Sequence, residues 1–108
     1  MAEQWDKNRI SQKFHAEAMA RTRYMEDITP NARGGDTASQ LNYDMDAAAF
    51  TVYESLWGKT FLSSREELVR HLEKMLNVPG SDAGVFDPGA FQQRRRAVIK
   101  NLIAEYSR

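Results

Sequence analysis

The sequence predicts an all-α fold: a small domain of four helices, the first of them long and able to extend past the rest. Three observations lead there. Apolar residues recur mostly every three to five positions instead of alternating. Start and stop residues divide the chain into four such stretches. No stretch reads as a convincing strand.

The first helix spans Trp5 to Ile28, where Ile10, Phe14, Ala18, Met19, Tyr24, Met25 and Ile28 form an apolar stripe. Lys7, Arg9, Lys13, Glu17, Arg21 and Glu26 occupy its other sides. Pro30 disfavours helical geometry at Thr29, so the helix is expected to end there. Asn31 to Ser39, with Gly34-Gly35, reads as the longest loop.

The second helix is expected from about Asp44 to Trp57, favoured by Ala47-Ala48-Ala49 and closed by Gly58. Apolar residues cover most of its circumference, which predicts the most buried helix of the four. Ser63 and Ser64 each precede a glutamate by three residues, giving two overlapping capping boxes for the third helix. Leu68, Val69, Leu72, Met75 and Leu76 form its apolar face, and Pro79-Gly80 ends it. Asp87 and Pro88 open the fourth helix as cap and first residue, with Phe86 placed to pack on Phe91 as a staple. That helix continues through Val98, Ile99, Leu102, Ile103 and Tyr106. With no repeat or linker, residues 1–108 read as one helical domain.

Composition narrows the chemistry. The 108 residues include 15 basic and 15 acidic side chains and no cysteine. A thiolate nucleophile, a disulfide and any cysteine-based metal site are therefore excluded. A net charge of zero removes the overall field of a general nucleic-acid binder. No apolar run approaches the ~20 residues of a membrane span, and the start of the chain lacks a secretory core. The expectation is a cytoplasmic protein with no membrane partner.

Few side chains are arranged for catalysis. Gln12 and Leu68 stand three residues before His15 and His71, so no Glu-x-x-His pair exists. His71 follows Glu67 by four, which reads as a surface Glu–His pair. Ser63 and Ser64 read as caps, and Gly34-Gly35-Asp36 lacks the length and lysine of a phosphate loop. Asp44 and Asp46 lack the spacing of a calcium loop. No catalytic, metal or cofactor residue is assigned, and a catalyst acting alone is not expected.

Two features suggest contact surfaces. Phe14, Met19, Tyr24 and Met25 make the first helix a candidate face for a partner, methionine being adaptable in such roles. Arg94, Arg95, Arg96 and Lys100 make the last helix locally basic. From Val78 onward five basic residues face three acidic ones, whereas Thr29 to Trp57 holds one basic residue and four acidic. Consecutive arginines fan around a helix by about 100° each. A solvated surface, or an ion-pairing strip for an acidic protein partner, suits them better than a nucleic-acid groove, which stays an alternative.

Part of this pattern resembles the amino-terminal helical region of nitrile hydratase β subunits and the related thiocyanate hydrolase small subunit. The corresponding pieces are Gly34-Gly35, the helix from Tyr43 to Gly58, and the helix from Glu66 to Leu76 with Arg70-His71. A last piece runs from Phe91 to Glu105 and ends Leu102-Ile103-Ala104-Glu105. Gln92 and the arginine run replace the family's aromatic residues on the last helix, and the carboxy-terminal barrel has no counterpart. The resemblance implies a helical subunit of a metalloenzyme whose metal lies on another chain. It places an active-site arginine at Arg70 or, given the longer spacing, Arg65.

Taken together, the expectation is a non-catalytic protein-binding module, an accessory subunit or small regulator that binds another protein or itself. The alternatives are a nitrile hydratase-like subunit and a nucleic-acid binder using Arg94 to Arg96.

Overall fold

Four short side chains set where the helices begin. Asp6 accepts hydrogen bonds from the backbone N–H groups of Asn8 and Arg9, Asp36 from Ala38, Ser64 from Glu67 and Asp87 from Ala90. Each supplies an acceptor for N–H groups that the first helical turn leaves unpaired. They open α1 (Lys7–Arg33), α2 (Thr37–Leu56), α3 (Arg65–Asn77) and α4 (Pro88–Tyr106). These helices come from a computed structural model that describes residues 4–108. Among those residues there is one 3-10 turn, Thr60–Ser63, and no strand, so the all-α reading stands.

Two boundaries differ from expectation. α1 does not stop at Thr29 but continues through Pro30 to Arg33. Its last turn is held from outside: Asp36 N–H donates to Asn31 O at 3.1 Å, and the Gln40 side chain donates to Ala32 O at 3.3 Å. The proline's local preference is thereby overridden by α2. The expected long loop shrinks to Gly34-Gly35-Asp36, with Gly35 at φ +92 making the reversal. α2 starts seven residues earlier than Asp44 because Asp36 caps it and also accepts from Ser39 Oγ at 2.7 Å. At α3, Ser64 is the cap, while Ser63 lies in the 3-10 turn and hydrogen-bonds the Glu67 side chain.

The chain runs as alternating antiparallel helices. α1 packs on α2, α2 on α4 and α4 on α3. Asp87 N–H donates to Asp44 Oδ2 at 2.7 Å, which sets the start of α4 beside the first half of α2. At the opposite end Lys13 meets Glu105 at 2.7 Å, and Phe14 contacts both Tyr53 and Tyr106. Phe14, Val52, Leu56, Leu62, Leu68, Leu72 and Ile99 are fully buried where all four helices overlap. α2 shares the role of most buried helix with α4, since each buries six residues.

α1 is about 40 Å long at 1.5 Å per residue, and the molecule measures 53 × 26 × 20 Å. No residue of α1 after Ala18 is buried. The far half of α1 therefore adds nothing to the buried core; it lies against α2, whose first half meets the start of α4 and the segment before it.

Candidate partner-binding surface

The far half of the hairpin carries much of the exposed apolar surface. Met19 is 37% exposed and Tyr24 is 42% exposed. Beside them, Ala20, Arg21, Tyr24, Asn42, Met45, Asp46 and Arg94 line an open cleft of about 470 Å³. Arg21 pairs with Glu17 at 3.1 Å and lies over the Tyr53 ring. Burial raises the Asp46 carboxyl above its ordinary pKa, and the charges of Arg21 and Arg94 oppose that rise. Nearer the hairpin tip, Tyr43 and Phe86 flank a smaller cleft of about 230 Å³ with Thr29, Ala32, Gln40 and Gly84. Phe86 is 53% exposed, on the α1–α2 side, whereas Phe91 is buried; the staple partner assigned to Phe86 therefore gives way to this cleft.

The residues singled out from the sequence divide between surface and core. Met19, Tyr24 and Lys100 are exposed, and Met25 and Arg94 are half-buried. Phe14 is a correction: it is fully buried, because it follows Ile10 and precedes Ala18 on the one stripe that α1 turns to the core. Arg95 is a second correction, at 8% exposed. It shares the inward stripe of α4 with Phe91, Val98 and Leu102, at helical spacing. Its Nη1 donates to Met75 O at 3.1 Å, and Arg96 Nη1 donates to Leu76 O at 2.8 Å. Two of the three consecutive arginines thus satisfy carbonyls at the end of α3. The third, Arg94, turns toward the hairpin cleft.

No family model, curated protein or solved structure matches the chain.

The opposite end of the molecule holds Arg65 and Arg70. Both line a cleft of about 410 Å³ with Val69, Tyr106 and Ser107. Arg65 Nη1 also donates to Arg108 O at 3.0 Å, and its guanidinium lies 5.7 Å from the Trp5 ring. A neighbouring cleft of about 430 Å³ is lined by Trp5, Asp6, Arg9, Lys13, Glu105 and Tyr106, among others. The Trp5 indole N–H donates to Leu62 O, which fixes the ring. Tyr106 is 6% exposed, and its buried hydroxyl has no hydrogen-bond partner among the described residues.

The histidines lie apart, each against an aromatic ring. His71 stacks on Phe61 at 3.7 Å, while its expected partner Glu67 takes the Ser63 hydroxyl. Burial first, and the charge of Lys74 second, lower the His71 pKa. His15 meets the edge of Trp57 at 4.5 Å. Among the described residues no three potential metal ligands converge.

Sequence reading missed Arg21 and Tyr43 as surface residues and Asp44 as a structural one, and it gave Phe86 a packing role instead of a place on the surface. Arg21 stands three residues after Ala18 and three before Tyr24, a spacing that could have flagged it. Phe86 and Tyr43 are far apart in sequence, and the packing of α2 on α4, with the Asp44–Asp87 hydrogen bond, brings their segments together.

Proposed function

We propose that this protein is a non-catalytic protein-binding module, an accessory subunit or small regulator, which engages its partner through the far half of the α1–α2 hairpin. The observation that carries this reading is that α1 has no fully buried residue after Ala18 while presenting Met19 and Tyr24 to solvent. A helix whose apolar stripe is only partly covered gains from a partner that covers the rest. Arg21 and Arg94 flank the stripe and favour a partner with acidic groups at its rim. A second copy of the chain remains within this reading.

The test is size-exclusion chromatography with light scattering, together with crosslinking in cell extract. The wild type should form a complex that the double variant Met19→Ser, Tyr24→Ser loses, while Val78→Ser, exposed elsewhere, leaves it intact. A lone monomer in both settings, or a complex indifferent to the double variant, overturns the reading.

A second reading, a helical subunit of a nitrile hydratase-like metalloenzyme, draws support from the cleft that Arg65 and Arg70 share. It predicts activity on mixing with a metal-bearing subunit, lost in Arg70→Lys or Arg65→Lys. The nucleic-acid reading loses support from the hydrogen bonds that commit Arg95 and Arg96 to α3.

A further inference from the structure

We propose that the cleft near the hairpin tip, bounded by α1, α2 and the segment entering α4, binds the methylated ammonium head of a small organic cation. Neither Met19 nor Tyr24 lines this cleft, so the inference does not depend on the hairpin surface having a partner.

The first observation is a buried carboxylate. Asp44 is 5% exposed and lines the cleft. Its Oδ2 accepts from Asp87 N–H at 2.7 Å, and among the described residues its Oδ1 has no hydrogen-bond or ion-pair partner. Among those residues Tyr106 Oη alone is a fully enclosed side-chain atom without a partner, so Asp44 Oδ1 is not sealed inside. A charge held this deep is costly unless it is paired, and a cation in the cleft would pair it.

The second observation is the aromatic lining. Tyr43 and Phe86, two of the large apolar side chains left exposed, flank the same cleft as Asp44. Gly84, at φ +79, lies in the turn closed by Val85 N–H on Asp82 O, which carries Phe86 to that place. Aromatic faces attract a cation, most strongly one that holds its water loosely.

The third observation selects the kind of cation. The lining is mostly apolar, and the Thr29 hydroxyl and the Gln40 amide already donate to Met25 O and Ala32 O. A primary ammonium brings three N–H donors that all need acceptors, whereas a methylated head meets carbon with carbon. The volume, about 230 Å³, suits a head group and a short tail. Arg33 is the opposing charge on the lining. It is exposed, so its guanidinium can turn to water, but it should weaken the site.

The experiment titrates the full chain with choline and follows the backbone amides by nitrogen–proton correlation spectra. The Gly84 and Phe86 resonances should shift saturably, while Val69 and Arg70, at the other end of the molecule, stay in place. Neopentyl carbinol, of the same shape without charge, should bind about tenfold more weakly or worse. Ammonium chloride should not reproduce the shifts. Asp44→Asn, which keeps an acceptor for Asp87 N–H, and Phe86→Leu, at an exposed position, should each weaken choline several-fold while circular dichroism stays unchanged. Arg33→Gln should tighten it. Absence of a saturable Gly84 shift, equal binding of the neutral analogue, or full affinity in Asp44→Asn or Phe86→Leu would each overturn the proposal. So would ammonium matching choline, or weaker binding in Arg33→Gln. A trimethyl-lysine peptide bound far more tightly than choline would place the head on a partner protein and overturn the small-molecule assignment.

Discussion

The Arg95 guanidinium donates to the Met75 carbonyl at 3.1 Å, and Gly80 lies directly against the same side chain. A buried arginine thus closes the end of α3 and shapes the segment that follows. A Cβ on Gly80 would come within 2.7 Å of Arg95 Nε. Arg95→Ala should cost about 2–3 kcal/mol of stability, while Arg96→Ala, at the exposed carbonyl next door, should cost about 0.5–1 kcal/mol. Gly80→Ala should be destabilising in the wild type and nearly silent in Arg95→Ala. Urea unfolding of the four proteins in a double-mutant cycle reads this coupling directly. Additive costs would mean that the contact is not what constrains Gly80.

Asp44 is the other inward-facing charged group, and it anchors the start of α4 through the Asp87 N–H. Asp44→Ala removes the acceptor from a partly buried donor and should lower stability by about 1.5–3 kcal/mol. Asp44→Asn keeps an oxygen in place and should lose less. Amide exchange at Asp87 should quicken in the alanine variant, and an unchanged rate would show that the bond is not formed in solution.

His71 carries a pKa below its ordinary value of 6.5, from burial against Phe61 and the charge of Lys74. The unfolded chain therefore takes up this proton before the folded one does. Stability from this group is present in full above about pH 6.5 and falls as the pH drops through the unfolded value toward the folded one. Thermal melts from pH 7.5 to 5 should show a decline that His71→Phe reduces, and identical slopes in the two proteins would contradict this assignment.

Tyr106→Phe should leave stability unchanged or raise it by about 1 kcal/mol, because the buried hydroxyl has no hydrogen-bond partner among the described residues. A clear loss on thermal unfolding would mean that the phenol does hydrogen-bond in the folded protein.

Pro30 sits inside α1 and denies a backbone donor to the turn before it. Pro30→Ala should raise the melting temperature, by about 1 kcal/mol or more in stability, since the last turn is already held by Asp36 and Gln40. A drop would show that the proline's stiffness in the unfolded chain matters more.

Periodicity and capping were legible in the residues themselves. The stripe of Leu68, Leu72 and Met75, the Ser64–Glu67 cap and the Asp87-Pro88 opening need only contacts within one or two turns, so local chemistry determines them. The Asp36 cap was equally local, but the glycine pair before it suggested a longer loop.

What the tertiary structure alone decided was which neighbours override those local terms. Pro30 stays helical because α2 reaches back to bond the carbonyls of Asn31 and Ala32. Arg95 turns inward because α3 ends at the height where a guanidinium is needed, a coincidence of two segments twenty residues apart. The exposed faces at both ends depend on helix lengths that do not match: α1 and α2 outrun the core that α3 and α4 can cover. Apolar pattern specifies that a face wants burial; only the packed arrangement determines whether another part of the same chain is there to bury it.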